Sequence, residues 1–112
     1  MTPLLSQEQF ESIWHPNQPT KPLEKPVIIY FTARWCKACK RLDWSALRAA
    51  FPPEKATFMI CDIDENDYTA GYVGCRSIPG FFVVLPTKQI KGPFTNSSTP
   101  AVEEWLSLAL LC

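Results

Sequence analysis

Short apolar runs alternate with segments of helical periodicity along this chain. The runs Val27–Phe31, Thr57–Asp64 and Phe81–Leu85 are rich in β-branched and aromatic residues, which is typical of strands. A helical segment separates the first two runs, so these strands are expected to lie parallel and to be joined by a right-handed crossover. The turn residues Pro86–Lys88 predict a short antiparallel strand at Gln89–Lys91.

Four segments space their apolar residues as helices do. Ser6 and Gln9 have the spacing of a capping box before the first helix, Pro52 and Pro53 stop the second, and Gly74 is placed to end the third. The predicted helices are Gln7–Trp14, a helix that starts at the cysteines near residue 36 and ends at about Phe51, Asp67–Val73, and Thr99–Leu111.

The 112 residues have the size of one domain, which we assign to 1–112. The proline-rich segment 17–26 is predicted to be a semi-rigid loop, because proline removes a hydrogen-bond donor and restricts the preceding residue. Acidic and basic residues balance at 11 each and no nucleic-acid motif occurs, so no nucleic-acid partner is expected. No apolar run is long enough to span a bilayer and no signal peptide is evident, which favours no membrane association and a cytoplasmic location.

The five cysteines are distributed unevenly. Cys61 and Cys75 occupy apolar positions and are expected to pack in the core. Cys112, at the end of the sequence, is either exposed and reactive or part of a frayed end. An odd number of scattered cysteines is unlike a secreted disulfide framework and favours a reducing compartment.

Cys36 and Cys39 stand where the strand at 27–31 gives way to a helix. At such a place, free backbone N–H groups and the positive end of the helix dipole stabilise an anion. The pKa of a thiol, about 8.5 in a free cysteine, falls to roughly 7 or lower in this kind of setting. We therefore expect Cys36 to be the nucleophile and Cys39, one turn further in, to attack the mixed disulfide formed at Cys36.

These polar and sulfur-bearing residues have other interpretations. The two cysteines are small buried residues in one alternative and zinc ligands in another, but a closed zinc site needs four ligands and no second close Cys/His pair exists. The acidic run lacks the features of a calcium loop, so no metal site is expected. The cations near the cysteines are either a solvated surface or a patch that selects acidic partners. The acidic run is Asp62, Asp64, Glu65 and Asp67, and the cations are Arg34, Lys37, Lys40, Arg41 and Arg76.

The predicted order of elements resembles the thioredoxin family over about residues 10–111. The segment Phe31–Lys40 is similar to the family's active-site segment, and Asp62–Asn66 stands at its strand-end acidic motif. Ile78-Pro79 has the spacing of its cis-proline, and Gly92 is a candidate for its substrate-loop glycine. A Cys-X-X-Cys pair alone is a weak signal, but after a strand and a Trp, and with Ile-Pro at this distance, it is strong.

The resemblance implies an α/β thioredoxin fold, a central mixed sheet flanked by helices on both faces, with a redox disulfide between Cys36 and Cys39. It implies a monomeric protein dithiol–disulfide oxidoreductase that reduces disulfide-containing protein substrates. No metal or organic cofactor is implied, only an external electron donor such as a thioredoxin reductase or a glutathione system. Two rivals stay open: a binding module that holds a partner with little turnover, and a disulfide oxidant or isomerase. The implied substrate groove comprises Trp35, Lys37, Ala38, Ile78, Pro79, Gly92 and Pro93.

The chain departs from the family's pattern in three ways. Lys37-Ala38 replaces the usual Gly-Pro, and the added cation is expected to make the redox potential more oxidising. Tyr30 replaces a buried acid and Ile60 its lysine partner, so Cys39 is expected to depend on water or another base for its activation. Trp44 replaces a helix-kinking proline, which predicts a straighter helix.

Overall fold

The computed structural model of this chain describes residues 1–111 and is built on a mixed five-stranded sheet. In chain order the strands are β1 (Thr2–Pro3), β2 (Val27–Thr32), β3 (Thr57–Asp62), β4 (Gly80–Val84) and β5 (Ile90–Thr95). Their order across the sheet is β1-β3-β2-β4-β5. β2 is parallel to β3, as the sequence predicted for these two strands, and antiparallel to β4.

Helices cover both faces of the sheet, which confirms the predicted architecture. They are α1 (Gln7–Ile13), a 3-10 helix (Ala38–Arg41), α2 (Trp44–Ala50), α3 (Asp67–Val73) and α4 (Thr99–Ala109). α1 and α3 pack on one face of the sheet, whereas α2 and α4 pack on the other. Among the described residues, no helix combines the length and the apolar character needed to cross a membrane.

The central strand β2 explains why its sequence is almost continuously apolar. Successive side chains of a strand point to opposite faces. Ile28 and Tyr30 therefore join the core under α2 and α4, whereas Ile29 and Phe31 join the core under α1 and α3. All of them are buried, so both faces select apolar residues.

Side-chain caps fix the starts of α1 and α3 close to the predicted positions. Ser6 Oγ accepts from the backbone N–H of Gln9 at 3.1 Å, while Gln9 Oε1 accepts from the N–H of Leu5 at 2.8 Å. The capping box at Ser6 thus reaches one residue further back than the usual pairing. Asn66 caps α3 through its side-chain oxygen, and Gly74 ends that helix with a left-handed φ of 80°.

Two strand predictions need correction. β1 was not predicted, because two exposed residues carry no hydrophobic pattern; it is held by parallel pairing of Thr2 and Pro3 with β3. β5 continues to Thr95, well beyond the predicted Gln89–Lys91. Its side chains are exposed or half-buried and include a proline, so the apolar alternation that marks a strand is missing.

The predicted proline-rich loop has no regular structure but is held against the sheet. Lys88, in the turn between β4 and β5, donates from Nζ to the carbonyl oxygens of Ile13 at 2.9 Å and Lys21 at 2.6 Å. Trp14 Nε1 donates in turn to the carbonyl oxygen of Lys88 at 2.9 Å. These contacts fix the loop as it leads from α1 to β2.

Candidate active site

Cys36 and Cys39 form a disulfide at the point where the chain leaves β2. Their Cα atoms are 5.3 Å apart, and a turn closed by a hydrogen bond from Cys36 N–H to the Ala33 carbonyl, 3.1 Å, precedes them. The two cysteines are 4% and 5% exposed, so burial does not distinguish a nucleophile from a resolving cysteine. The predicted redox pairing is present in the structure.

The segment after the cysteines is not the continuous helix that the sequence predicted. Only a four-residue 3-10 helix follows them, and Leu42 then has an extended ψ of 135° before α2 begins. Asp43 caps α2 by accepting from Ala46 N–H at 3.0 Å, and its own N–H donates to Thr99 Oγ1 at 2.8 Å. The chain is therefore broken by a cap and a contact with α4, and the straighter helix predicted from Trp44 is wrong.

This break changes the electrostatic argument for Cys36. Four residues of 3-10 helix carry a much smaller summed dipole than a long α-helix does. What remains is a local donor: the backbone N–H of Cys39 points at Cys36 Sγ, with an N···S distance of 3.1 Å. Negative charge on Cys36 is thus favoured by one directed N–H group rather than by a long helix.

Trp35 projects beside the disulfide as an exposed aromatic surface. Its side chain is 63% exposed, and its indole Nε1 donates to Asp64 Oδ2 at 3.0 Å. Asp64 lies just after β3 and is itself oriented by a hydrogen bond from its N–H to Asp62 Oδ1 at 2.9 Å. The sequence placed Asp64 in the strand-end acidic motif and did not predict its hydrogen bond to Trp35.

Ile78 and Trp35, two residues of the predicted substrate site, line the same groove of about 500 Å³, whereas Pro79 and Cys36 are not among its lining residues. The Ile78–Pro79 peptide bond is cis, as expected from the resemblance, and it leads into Gly80, which pairs with Phe31 at the end of β2. Lys37 and Ala38 lie between the cysteines and do not line this groove. The remaining lining residues are Ile63, Asp67, Ala70, Gly71, Cys75, Arg76 and Ser77.

Gly92 and Pro93 do not lie at the cysteine end of the sheet, which corrects the predicted groove. They sit inside β5, in the irregularity opposite Phe81 to Val83, and it is Thr95 that pairs with Gly80. Gly92 has a φ of 99°, and a Cβ there would approach the Phe81 carbonyl oxygen to 2.8 Å. The backbone conformation and the close approach of β4 therefore require glycine at this position. Thr95 is the β5 residue that reaches the Ile78–Pro79 turn, because its Oγ1 donates a hydrogen bond to the Ser77 carbonyl oxygen at 3.3 Å.

Tyr30 belongs to an aromatic cluster beneath the cysteines. Its ring lies 4.6 Å from that of Trp44 and 5.3 Å from that of Phe81, and Phe58 packs edge-on against Trp44. Burial raises the pKa of the Tyr30 phenol above its ordinary value. In the part of the chain that the structure describes, the buried polar residues are Asn66 and Thr69, neither of which is an acid.

Tyr30→Phe is therefore expected to leave the resolution of a mixed disulfide unchanged. A phenol whose pKa is raised stays protonated through the physiological range and accepts no proton from Cys39. Stopped-flow measurement of mixed-disulfide decay between pH 6 and 9 should give the same profile, within about twofold, for both proteins. A profile displaced by the substitution would assign the base to Tyr30.

Cys61 and Cys75 lie in the core under α1 and α3, as predicted. Desolvation raises the pKa of Cys61 to about 12, and nearby Asp62 adds to the effect. Burial also raises the pKa of Cys75, whose Sγ lies 3.3 Å from the Ser77 carbonyl oxygen. Burial thus disfavours the thiolate form of both cysteines, and Cys75 also borders the groove. The prediction for Cys112 lies outside the described residues.

Native protein is expected to protect Cys61 and Cys75 from iodoacetamide. With a pKa of about 12, only about one Cys61 in ten thousand is ionised at pH 8, and the thiolate is the reacting form. Mass spectrometry of peptides from the oxidised protein should show labelling at least about a hundredfold slower than in denatured protein. Comparable rates in the two states would show that these sulfurs are accessible.

Comparisons with known proteins agree with this geometry. The Thioredoxin family model matches residues 4–106. A TPR repeat-containing thioredoxin of Oryza sativa subsp. japonica is 34% identical over 68 residues, which are 61% of this chain and 22% of that protein. A thioredoxin of Geodia cydonium is 36% identical over 58 residues, 52% of this chain and 55% of that protein. The matched parts thus span well under two thirds of either relative.

The fold has equally clear counterparts among solved structures. Fasciola hepatica thioredoxin superposes with a TM-score of 0.76 at 17% identity, covering 97% of this chain and 99% of that one. Plasmodium falciparum thioredoxin gives 0.75 at 22% identity, with coverages of 96% and 98%. With the family model covering nearly all of the described residues and the Cys-X-X-Cys disulfide in place, this chain belongs to the thioredoxin family.

Proposed function

We propose that this chain is a protein dithiol–disulfide oxidoreductase that reduces the disulfides of protein substrates. The observation that carries the proposal is the Cys36–Cys39 disulfide at the exit of β2, beside the exposed Trp35 and the groove lined by Ile78. The two cysteines are three positions apart in sequence and already bonded. Such a pair is suited to cycle between disulfide and dithiol without rearrangement of the sheet.

The reaction needs two successive thiol–disulfide exchanges. In the reduced protein the Cys36 thiolate attacks one sulfur of the substrate disulfide, which forms a mixed disulfide and releases the other sulfur as a thiolate. Cys39, deprotonated by water or another base, then attacks Cys36 Sγ and releases the second substrate sulfur. Two electrons and two protons pass to the substrate, and Cys36–Cys39 is left oxidised. The Cys39 N–H directed at Cys36 Sγ supports Cys36 as the nucleophile.

The proposal includes a soluble electron donor and no bound cofactor. A thioredoxin reductase or a glutathione system would return the two electrons, since the disulfide itself is the only redox group that the mechanism uses. No group of three or more His, Cys, Asp or Glu side chains able to hold a metal occurs among residues 1–111. We further propose that the protein is a cytoplasmic monomer whose partners are its substrates and its reductase.

Insulin reduction tests the proposal directly. The full chain, supplied with dithiothreitol or a reductase, is expected to accelerate the reduction of insulin disulfides, and Cys36→Ser is expected to lose that acceleration. Circular dichroism of the variant checks that the fold is kept. Absence of acceleration by the wild-type chain, with partner binding unchanged in Cys36→Ser/Cys39→Ser, would instead establish the binding module.

The redox potential is expected to be more oxidising than the roughly −270 mV typical of thioredoxin. Lys37 is exposed directly after Cys36, where its positive charge favours the thiolate and hence the reduced form. Equilibration with glutathione buffers, read by Trp35 fluorescence or by mass after alkylation, gives the potential. Lys37→Gly should lower it, whereas a wild-type value at or below that of thioredoxin would refute the electrostatic argument. A value as high as that of a disulfide oxidant would support that rival function.

A further inference from the structure

Three cations, Lys37, Lys40 and Arg41, lie on the short segment that carries the cysteines, and we call them the basic turn. All three are exposed. Within residues 1–111 the sole side-chain contact of salt-bridge length joins Glu11 and His15, at 3.9 Å, so none of the three cations has a carboxylate within salt-bridge distance. Their charge is therefore directed to solvent and to whatever approaches the disulfide.

The carboxylates close to the site offset this charge only in part. Asp43, the nearest in sequence, is engaged as the cap of α2. The acidic residues at the end of β3 lie on the Trp35 side, where Asp64 holds the indole ring. There Asp62 and Glu65 border the same shallow depression as Arg34, which balances that cation. With Asp43 counted, the basic turn still has three cations to one carboxylate, so positive charge is in excess there.

We propose that the basic turn selects protein substrates that present acidic residues next to their disulfide. The inference rests on the proposed function and specifies its substrate class. An extended substrate segment would place apolar side chains in the groove between Trp35 and Ile78, and its flanking carboxylates would face Lys37, Lys40 and Arg41. Exposed charges of opposite sign raise the rate of encounter more than they raise affinity.

The exchange reaction makes encounter rate the right quantity to measure. Attack by Cys36 is bimolecular, so long-range attraction enters its rate constant directly. The Debye length falls from about 30 Å at 10 mM salt to about 8 Å at 150 mM, which screens attraction between exposed charges. A preference due to the basic turn must therefore shrink as salt is added.

Two peptides that share one disulfide loop, flanked by Glu in one and by Lys in the other, test this proposal. The pre-reduced chain is mixed with each peptide in a single turnover, and the second-order rate constant for peptide reduction is measured. The ratio of the two rate constants is expected to be at least about 10 in favour of the acidic peptide at 10 mM salt, and to approach 1 at high salt. Because the disulfide is the same, differences in sulfur chemistry cancel in this ratio.

A matched pair of variants assigns the preference to the basic turn. Lys40→Gln/Arg41→Gln leaves the residues between the cysteines intact and should reduce the ratio several-fold. Lys21→Gln/Lys55→Gln removes the same charge from two exposed lysines outside the cysteine segment and should leave the ratio unchanged. Equal effects of both variants, or a ratio near 1 at low salt with both peptides reduced, would overturn the inference. Failure to reduce either peptide would instead overturn the proposed function.

Discussion

Cys39→Ser is expected to arrest the reaction of this protein at the mixed disulfide between Cys36 and its substrate. Cys36 Sγ keeps its N–H donor, because that donor is the backbone of residue 39 and survives the substitution. Resolution then depends on an external thiol. Intramolecular attack by a well-placed group corresponds to an effective concentration of about 10⁵ M or more, so the lifetime of the adduct should rise at least about a thousandfold.

Non-reducing gels and intact mass measure this arrest. Cys39→Ser mixed with an oxidised protein substrate should give a covalent adduct that dithiothreitol releases, whereas Cys36→Ser should give none. Tryptic peptides of the adduct should contain Cys36. An adduct that forms equally well through Cys39 in Cys36→Ser would contradict the assigned roles.

The chemistry of the site was predictable because it is encoded over short distances in the sequence. A strand followed by Trp35-Cys36-Lys37-Ala38-Cys39 fixes a turn with two sulfurs three residues apart, and no distant contact is needed to bring them together. The same holds for the cap Ser6, whose hydrogen bond joins residues three apart in sequence. Local patterns are read correctly when local interactions decide the outcome.

The break between the 3-10 helix and α2 shows where such patterns fail. Leu42, Ala46 and Leu47 have helical spacing, and nothing local forbids a continuous helix. The interruption is stabilised by Asp43, whose N–H is held by Thr99 at the start of α4, 56 residues away. A contact of this range leaves no trace in hydrophobic periodicity.

The misplacement of Gly92 and Pro93 has a related cause. Their distance in sequence from Ile78-Pro79 suited a loop glycine, but an irregularity in the pairing of β4 and β5 keeps them within the strand. Thr95 reaches the Ile78–Pro79 turn instead, through the Ser77 carbonyl. Strand register depends on pairing between two segments, and one segment alone does not specify it.

The departures at Tyr30 and Trp44 prove to be one feature of the core. Where the family's pattern has a buried acid and a proline, this chain has two aromatic rings 4.6 Å apart, completed by Phe81 and Phe58. A carboxylate at position 30 would lie among these rings, and burying its charge there would be costly. The paired change therefore exchanges a buried polar group for packing under the cysteines.

Phe81→Ala is accordingly expected to lower the free energy of unfolding by about 3–5 kcal/mol. Phe81 is 0% exposed, and its ring lies against both Tyr30 and Trp44, so its removal leaves a cavity beneath Cys36 and Cys39. A domain of this size has a total stability of about 5–15 kcal/mol, so the loss is a large fraction of it. Urea unfolding of the oxidised protein should show a midpoint lower by at least about 1 M.

Trp35→Ala is the matched control for that experiment, because it also removes a large ring beside the disulfide. Trp35 is 63% exposed and has one hydrogen bond, to Asp64, so its loss should cost less than about 1 kcal/mol of stability. It should nevertheless slow the reduction of protein substrates, since Trp35 directly precedes Cys36 and lines the proposed substrate groove. Equal losses in the free energy of unfolding for Phe81→Ala and Trp35→Ala would contradict this assignment. Phe81 would then contribute no more to stability than an exposed ring does.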